Sequence, residues 1–304
     1  MAGTGHGDST KAILYAFLAN LGLAIAKTGA ALYTGSGSMM AEAIHSFSDC
    51  GNQILLFIGL KQAEKPADVK HPLGYGKVTY FWSFIVAIML FSMGGLYSVY
   101  EGWHKLHEPG ELNQLWIALL VLGLGIVLES SALYGALKVV KTIRQEKTFF
   151  EWFKVTRNAE LVVILGEDSA ATLGLIIAFI FVSTAAVTGN PMYDALGSIC
   201  IGIILLCISV FIGWRIKSLI VGRSAEPELR ELIDKIINKD DSIEKLLNSV
   251  TMQFGAEVLL AAKLKMKAGL SIEEAVTQLN ELEVEIKKQV PSVKWCFMEP
   301  DIKD

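Results

Sequence analysis

Charged residues are scarce in this sequence of 304 residues. Only 19% of the residues are charged and 52% are hydrophobic, with a mean hydropathy of +0.45, whereas a soluble domain is about 25% charged. This composition excludes a disordered chain, a fibrous repeat and a disulfide scaffold. The net charge of −4 gives no excess of basic residues of the kind that binds nucleic acid, so we expect no nucleic-acid partner.

The sequence also lacks the motifs of an enzyme. The four cysteines show no CxxC spacing and three of them stand in apolar runs, which favours small core residues. No nucleophile–base motif and no phosphate-binding glycine loop is present. We therefore expect no catalytic residue, no enzyme activity and no permanently bound cofactor. The first ten residues carry no basic n-region, so a cleaved signal peptide is not expected.

Long apolar runs fill the sequence up to about residue 222. A membrane-spanning helix needs ~20 mainly apolar residues, and three such runs contain no charged residue, at residues 78–100, 169–193 and 195–214. Two earlier runs are apolar but interrupted by charge. We predict an α-helical membrane protein whose transmembrane domain covers residues 1–222. Its six predicted spans are residues 10–34, 38–63, 77–104, 112–141, 158–188 and 191–220.

Basic residues are distributed unevenly among the predicted loops. The loops after spans one, three and five carry only Lys105, whereas fourteen basic residues lie at the opposite ends of the spans and in the loops that join them there. Loops rich in Lys and Arg stay in the cytoplasm, so both termini are predicted to be cytoplasmic. The short loops and the lack of a transit peptide favour a bacterial inner membrane.

Residues 223–304 have the composition of a soluble domain. Apolar residues at a 3.6-residue period and a capping box of Ser271 and Glu274 predict helices, while shorter apolar runs predict strands. The order αββαβ predicts a small cytoplasmic α+β domain. Its elements are a helix from Pro227, strands at 250–254, 258–266 and 293–298, and a helix that ends near Gln289. The face predicted to cover the sheet contains Ile272, Val276, Leu279, Val284 and Ile286.

A few ionisable side chains lie inside the predicted spans, where each costs ~2.5 kcal/mol or more. His45 and Asp49 are four residues apart and share one face of span two. At 1.5 Å per residue, Asp49 lies ~16 Å and Asp168 of span five ~15 Å into a hydrocarbon core of ~30 Å. An imidazole and two carboxylates at one depth predict a divalent metal site. The alternative is an interhelical ion pair, but no arginine lies in the interior of the spans to form it.

Three residues are candidates to complete this site. Asn52 lies near the same face of span two, and Glu129 of span four is a further ligand, a proton relay, a gate residue or a packing contact. Glu167 is ~100° around the helix from Asp168, so we expect one of the two to face away. Because a histidine ligand also binds protons near neutral pH, metal and protons compete for the site. Such a site suits exchange of metal for protons.

A second, weaker candidate lies in the loop after span two. Asp68 and His71 are three residues apart in the segment DVKHPLGYGK and can hold one metal ion between them. The alternative is a solvated loop with no ligand role.

These motifs resemble the cation diffusion facilitator family. The likeness covers nearly the whole chain and is carried by YTGSGSMMAEAIHSFSD (33–49), HPLGYGK (71–77) and EDSAATLG (167–174). It resembles most the branch of the ZnT9-like mitochondrial zinc transporters, here as a bacterial member. The resemblance implies a homodimeric metal/proton antiporter with six membrane helices and a ferredoxin- or metallochaperone-like tail.

The resemblance also assigns individual residues. His45, Asp49 and Asp168 match the family's transport site, but its partner four residues before the last Asp is Ile164, which cannot bind metal. Glu167, Glu129, Asn52 or a water must therefore complete the site, and fewer soft donors shift preference toward Mn²⁺, Fe²⁺ or Co²⁺. Asp68 and His71 match a loop site whose other His is Tyr75 here. The tail contains no histidine, so we predict that it binds no zinc and serves dimerisation.

The sequence thus predicts an exporter of divalent metal, with Zn²⁺ as the expected cargo, that returns protons to the cytoplasm. Two alternatives stay open. One is an exporter of Mn²⁺, Fe²⁺ or Co²⁺ with the same fold, and the other is a membrane protein that senses metal without transporting it.

Overall fold

The computed structural model describes residues 5–108, 112–144 and 146–303. Within these ranges the apolar part of the chain forms six long helices, close to the six predicted spans. A seventh, short helix, α5, lies in the loop between the fourth and fifth of them. The helices are α1 (Gly5–Thr34), α2 (Gly37–Ala63), α3 (Val78–His107), α4 (Leu115–Ile143), α5 (Phe149–Val155), α6 (Ala159–Thr188) and α7 (Met192–Val221).

Four of these helices, α3, α4, α6 and α7, are long and apolar enough to cross a membrane. Helices α1 and α2 are of similar length, but Lys27 and the ionisable residues of α2 interrupt their apolar character. The chain is an integral membrane protein of α-helical type. The two tightest connections turn at Gly35 (φ 72°) and Gly189 (φ 68°), because only glycine adopts this left-handed backbone without strain.

Helix α3 is irregular in its middle, where Leu90–Leu96 forms a π-helical segment. Two glycines in this segment allow close packing: a Cβ on Gly95 would collide with Leu206 of α7, and one on Gly94 would lie 3.8 Å from Nδ1 of His45. π-helical turns in longer helices are frequent at functional sites. The π-helical segment of α3 places the backbone of Gly94, without a side chain, beside the imidazole of His45.

The chain divides into two compact units. The first contains the residues up to Gly59 together with Trp82–Glu146 and Glu160–Arg215, and the second contains Leu60–Phe81, Lys147–Ala159 and the chain from Ile216 onward. The second unit therefore combines the predicted tail with α5, the first residue of α6 and the ends of α2, α3 and α7 that we predict to be cytoplasmic. The division into domains at residues 222 and 223 stays a prediction.

The tail has the predicted order αββαβ. Strands β1 and β2 pair antiparallel, β2 and β3 pair parallel, and β2 lies in the centre of the sheet. Alternate residues of β2 from Val258 to Leu264 are buried against the two helices, as expected for a sheet with one covered face. The elements are α8 (Pro227–Lys239), β1 (Ile243–Phe254), β2 (Glu257–Met266), α9 (Ile272–Gln289) and β3 (Val293–Pro300).

Two details of the tail differ from the sequence prediction. Strand β1 begins at Ile243 rather than at residue 250, because a bulged register carries the pairing with β2 further than the apolar pattern indicates. The buried face of α9 is formed by Leu279, Leu282 and Ile286. Ile272, Val276 and Val284, which we predicted to cover the sheet, are exposed.

The second unit is held together by contacts between its separate segments. The Tyr80 hydroxyl accepts a hydrogen bond from the Gly255 amide (2.9 Å), and a Cβ on Gly76 would collide with the Phe254 backbone at the tip of the β1–β2 hairpin. The Arg157 side chain donates to the Ser224 carbonyl (2.7 Å). The hairpin tip and the start of the tail are therefore fixed against residues 76–80 and 157.

Candidate functional site

The first turn of α2 is capped by a carboxylate from another helix. Asp194 of α7 is buried and accepts hydrogen bonds from the Ser36 hydroxyl (2.6 Å), the Gly37 amide (2.5 Å) and the Ser38 amide (3.2 Å). Helix N-termini carry free N–H groups and a partial positive charge, which a buried anion neutralises. Asp194, which was not among the residues predicted from the sequence, thus fixes the end of the helix that carries the site.

One face of α2 carries a row of polar side chains that points into the helix bundle. Glu42, His45 and Asn52 are fully buried, and the Asp49 side chain is 17% exposed. Their spacing of three and four residues places them above one another along the helix. The predicted metal-binding face of span two therefore faces the interior rather than lipid.

A small cavity of about 30 Å³ lies at the level of Asp49. This volume suits about one water molecule or a small ion. Four carboxylates from three helices line the cavity, together with two carboxamides and a hydroxyl. The lining residues are Asn20, Ser46, Asp49, Gln53, Glu129, Glu167, Asp168 and Ala171.

The carboxylates of this cavity give it the chemistry of a cation site. Oxygen donors and concentrated negative charge attract divalent ions. Asp49 and Asp168, predicted from sequence to share the site, both line the cavity, and so does Glu129. Within the described residues no three His, Cys, Asp or Glu side chains converge closely enough to hold an ion as they stand.

His45 lies beside Asp49, and its role as a metal ligand stays a prediction. Its Nδ1 lies 3.5 Å from Oδ1 of Asp49, but the ring is not among the groups that line the cavity. Among the described residues neither ring nitrogen has a hydrogen-bond partner. The imidazole therefore reaches the site through Asp49, from the side of the α1–α2 turn.

Glu167 and Asp168 both line the cavity, which corrects the expectation that one of them faces away. The two side chains leave α6 at an angle of ~100° to each other, and the cavity lies between these two directions, so both carboxylates reach it. Asn52 does not line it. Its amide instead donates a hydrogen bond of 2.5 Å to Oε1 of Glu167, so Asn52 orients a candidate ligand.

Lys27 of α1 is fully buried, with its ammonium 3.3 Å from Oε2 of Glu42 and 2.7 Å from the Ser46 hydroxyl. This lysine, rather than an arginine, supplies an ion pair within the membrane helices. Gly174 of α6 makes the room, since a Cβ there would collide with Oε1 of Glu42. An ion pair thus lies next to the cavity, with Ser46 common to both.

Asp68 and His71 lie close together in the loop, but the carboxylate is engaged by protein donors. Its Oδ1 accepts from the amides of Lys70 (2.9 Å) and His71 (2.7 Å), and its Oδ2 accepts from the Tyr75 hydroxyl (2.7 Å). These bonds, first the one from Tyr75, lower the pKa of Asp68. His71 Nδ1 is 3.6 Å from Asp68 Oδ1. The arrangement closes a turn, and a metal ligand role for this pair stays a prediction.

Several residues of the site were not identified from the sequence. Asn20, Ser46 and Gln53 line the cavity, and the signal for two of them was available. Ser46 precedes Asp49 by three residues and Gln53 follows it by four, which places both on the face of Asp49. Asn20 carries no such signal, because its role depends on how α1 packs.

Comparison with known proteins assigns the family. Residues 13–221 match the family model of the cation efflux transmembrane domain. The chain is 33% identical over 254 residues to the mouse "Proton-coupled zinc antiporter SLC30A9, mitochondrial". The aligned region covers 83% of this chain and 44% of that protein. It is 27% identical to "Metal tolerance protein C4" of Arabidopsis thaliana, over 95% of this chain and 62% of that protein.

A further relative is "Magnetosome protein MamB" of Magnetospira sp. (strain QH-2), at 26% identity over 65% of this chain and 62% of that protein. The chain spans less than half the length of the mouse relative. The family model covers more than two thirds of the chain, from before Lys27 to the end of α7, and includes every residue of the cavity. The chain therefore belongs to the cation efflux family, also called the cation diffusion facilitators.

Proposed function

We propose that this protein exports a divalent metal ion across a membrane in exchange for protons, with Zn²⁺ as the cargo. The cavity of four carboxylates within the membrane helices carries this proposal. A bilayer makes such a concentration of acidic groups costly unless a cation neutralises it. Relatives named as a zinc antiporter and a metal tolerance protein support the same class of cargo.

The geometry indicates a role for each residue of the site. Asp49 and Asp168 bind the ion from α2 and α6, Glu129 and Glu167 complete an oxygen-rich shell, and His45 acts beside Asp49. Carboxylates and imidazole release the ion when they bind protons. Movement of α2 and α6 against their neighbours exposes the site to each side in turn.

Transport into inverted vesicles tests the proposal. With a pH gradient, the wild type is expected to accumulate Zn²⁺, and Asp49→Ala is expected to abolish accumulation because a carboxylate of the cavity is lost. Glu64→Gln is a matched control, since it removes a carboxylate near the end of α2 at an exposed position. Transport by Asp49→Ala at the wild-type rate would refute the site.

A cargo of Mn²⁺, Fe²⁺ or Co²⁺ is the second candidate. The polar groups that line the cavity all offer oxygen, while the imidazole of His45 lies outside the lining. Oxygen donors favour the harder ions of this series. Competition of each metal against Zn²⁺ for binding to the purified protein separates the two cargoes. A protein that binds metal saturably but gives no metal flux in proteoliposomes would be a sensor.

We also propose that the protein is a homodimer in a bacterial inner membrane with both termini in the cytoplasm. The excess of basic residues in the predicted cytoplasmic loops supports the orientation. Cross-linking in membranes measures the oligomer, and accessibility of a cysteine introduced in α8 measures the side of the tail.

A further inference from the structure

The polar face of α2 continues beyond the cavity toward the α1–α2 turn, which the distribution of charge predicts to be the outer side. Glu42 lies seven residues before Asp49, or ~10 Å along the helix. His45 and Ser46 lie between them, so Glu42, His45 and Ser46 form a patch at i, i+3 and i+4. An ion that leaves the cavity on this side meets these three side chains.

This patch has unused ligand capacity. Oε1 of Glu42 and both nitrogens of His45 are buried and have no hydrogen-bond partner among the described residues. Buried polar atoms are nearly always paired. A carboxylate oxygen, an imidazole and a hydroxyl on one helix face are also ligand types that divalent metals accept. The patch therefore has the composition of a cation site.

A cation of the protein itself already lies at this patch. The Lys27 ammonium contacts Glu42 at 3.3 Å and Ser46 at 2.7 Å, and all three side chains are buried. The lysine stem passes Gly125 of α4, where a Cβ would lie 3.5 Å from Cε. A buried ion pair adds little net stability compared with apolar packing, so its presence here is better explained by a role in the passage of ions.

We propose that Glu42, His45 and Ser46 form a second, transient station for the transported metal, and that the Lys27 ammonium occupies it between passages. The station rests on the proposed function, because its ligand is the transported ion. The metal displaces the ammonium from Glu42 as it leaves the cavity, and the returning ammonium bars its way back. His45 lies between the two positions, 3.5 Å from Asp49, and passes the ion from one to the other.

Equilibrium dialysis of the purified full chain against Zn²⁺ tests the station. Lys27→Met frees the patch, so this variant is expected to bind one more Zn²⁺ per chain than the wild type. Adding Glu42→Gln to Lys27→Met removes the carboxylate and is expected to restore the wild-type number. Lys61→Met, the same change at an exposed position of α2, is expected to leave the number unchanged.

Flux supplies a second measurement that does not depend on the folding of Lys27→Met. Glu42→Gln has nearly the shape of the native residue and leaves the cavity intact, so binding at the cavity is expected to persist while Zn²⁺ flux falls at least tenfold. An unchanged ion number in Lys27→Met, or unchanged flux in Glu42→Gln, overturns the station alone. If the wild type shows no Zn²⁺ binding and no Zn²⁺ flux, the proposed function is overturned, and the station with it.

Discussion

Glu167 and Asp168 are adjacent acids that the structure holds in different ways. Glu167 receives the Asn52 amide at 2.5 Å and is buried, whereas Asp168 has a carboxylate in the cavity wall without such an orienting donor among the contacts described. When Glu167 is replaced by Gln, the new side-chain oxygen can still accept the hydrogen bond from the Asn52 amide, so the side chain is expected to keep its position. The two acids should therefore respond differently to neutralisation.

We predict that Asp168→Asn abolishes Zn²⁺ binding at the cavity, while Glu167→Gln lowers the affinity about tenfold, or ~1.4 kcal/mol. Isothermal titration of the purified variants measures both affinities. Asn52→Ala serves as a control for orientation and should resemble Glu167→Gln. Equal losses in the two acid variants would contradict the assignment of Asp168 as the principal ligand of α6.

The Asp68–Tyr75 hydrogen bond stabilises the loop between α2 and α3 over a defined range of pH. It lowers the pKa of Asp68 and raises that of Tyr75. A lowered carboxyl pKa stabilises the loop above the ordinary value of ~3.9, and this contribution is lost as the pH falls through the folded pKa. A raised phenol pKa stabilises it below ~10, and this contribution is lost as the pH rises through the folded value.

We therefore predict that the loop resists proteolysis to a constant degree between about pH 5 and 9 and is cut faster on either side. Tyr75→Phe removes the bond and should raise the cleavage rate within that window. Limited proteolysis of the full chain at several pH values, with proteases active at each, measures this. A Tyr75→Phe variant as resistant as the wild type at pH 7 would show that the bond does not hold the loop.

At the level of elements, the approach of α6 to α2 depends on one glycine. A Cβ on Gly174 would collide with Oε1 of Glu42. Glu42 cannot easily move aside, because Lys27 holds its other oxygen at 3.3 Å. The two helices that supply the cavity with Asp49 and Asp168 are thus spaced by the absence of a side chain at position 174.

We predict that Gly174→Ala pushes α6 away from α2, lowers stability by about 1–3 kcal/mol, as other overpacked cores do, and slows metal transport. Thermal unfolding in detergent and proteoliposome flux measure the two effects. Gly135→Ala in α4 is the matched control, because nothing lies within 4 Å of a Cβ at that position. A Gly174→Ala variant as stable and active as Gly135→Ala would contradict the spacing role.

At the scale of the whole molecule, the tail folds around an apolar core, and the absence of a metal from it stays a prediction. Ile233, Leu282 and Ile286 are buried between the helices and the sheet. The tail has no histidine, and burial, followed by the nearby Glu283, raises the pKa of its single thiol, Cys296, to about 11. At neutral pH this cysteine is therefore protonated, and a protonated thiol is a poor metal ligand.

We predict that Leu282→Ala destabilises the tail by about 2–5 kcal/mol, the usual cost of a buried leucine, whether or not metal is present. Removal of metal with EDTA should leave the unfolding of the wild-type tail unchanged. Hydrogen exchange of the tail amides in the full chain measures both. A loss of protection on addition of EDTA would show that a metal stabilises this domain after all.

Much of the architecture was predictable because each element carries its own local signal. Apolar length indicated the long helices, and the capping box at Ser271 and Glu274 is present as expected. The signal failed where a choice depended on packing. Leu279 and Ile286 of the predicted face are buried together with Leu282, whereas Val276 and Val284, which were predicted to share that face, are exposed.

The sequence by itself determined which ionisable residues the apolar helices carry, because such residues are few there, and their helical spacing predicts that His45 and Asp49 share one face of α2. Tertiary structure alone decided how they are grouped. It brought Asn20, Glu129, Glu167 and Asp168 to Asp49, left His45 beside the cavity, and paired Lys27 with Glu42. The rotation of each helix about its axis follows from contacts between distant segments, and no local sequence pattern encodes those contacts.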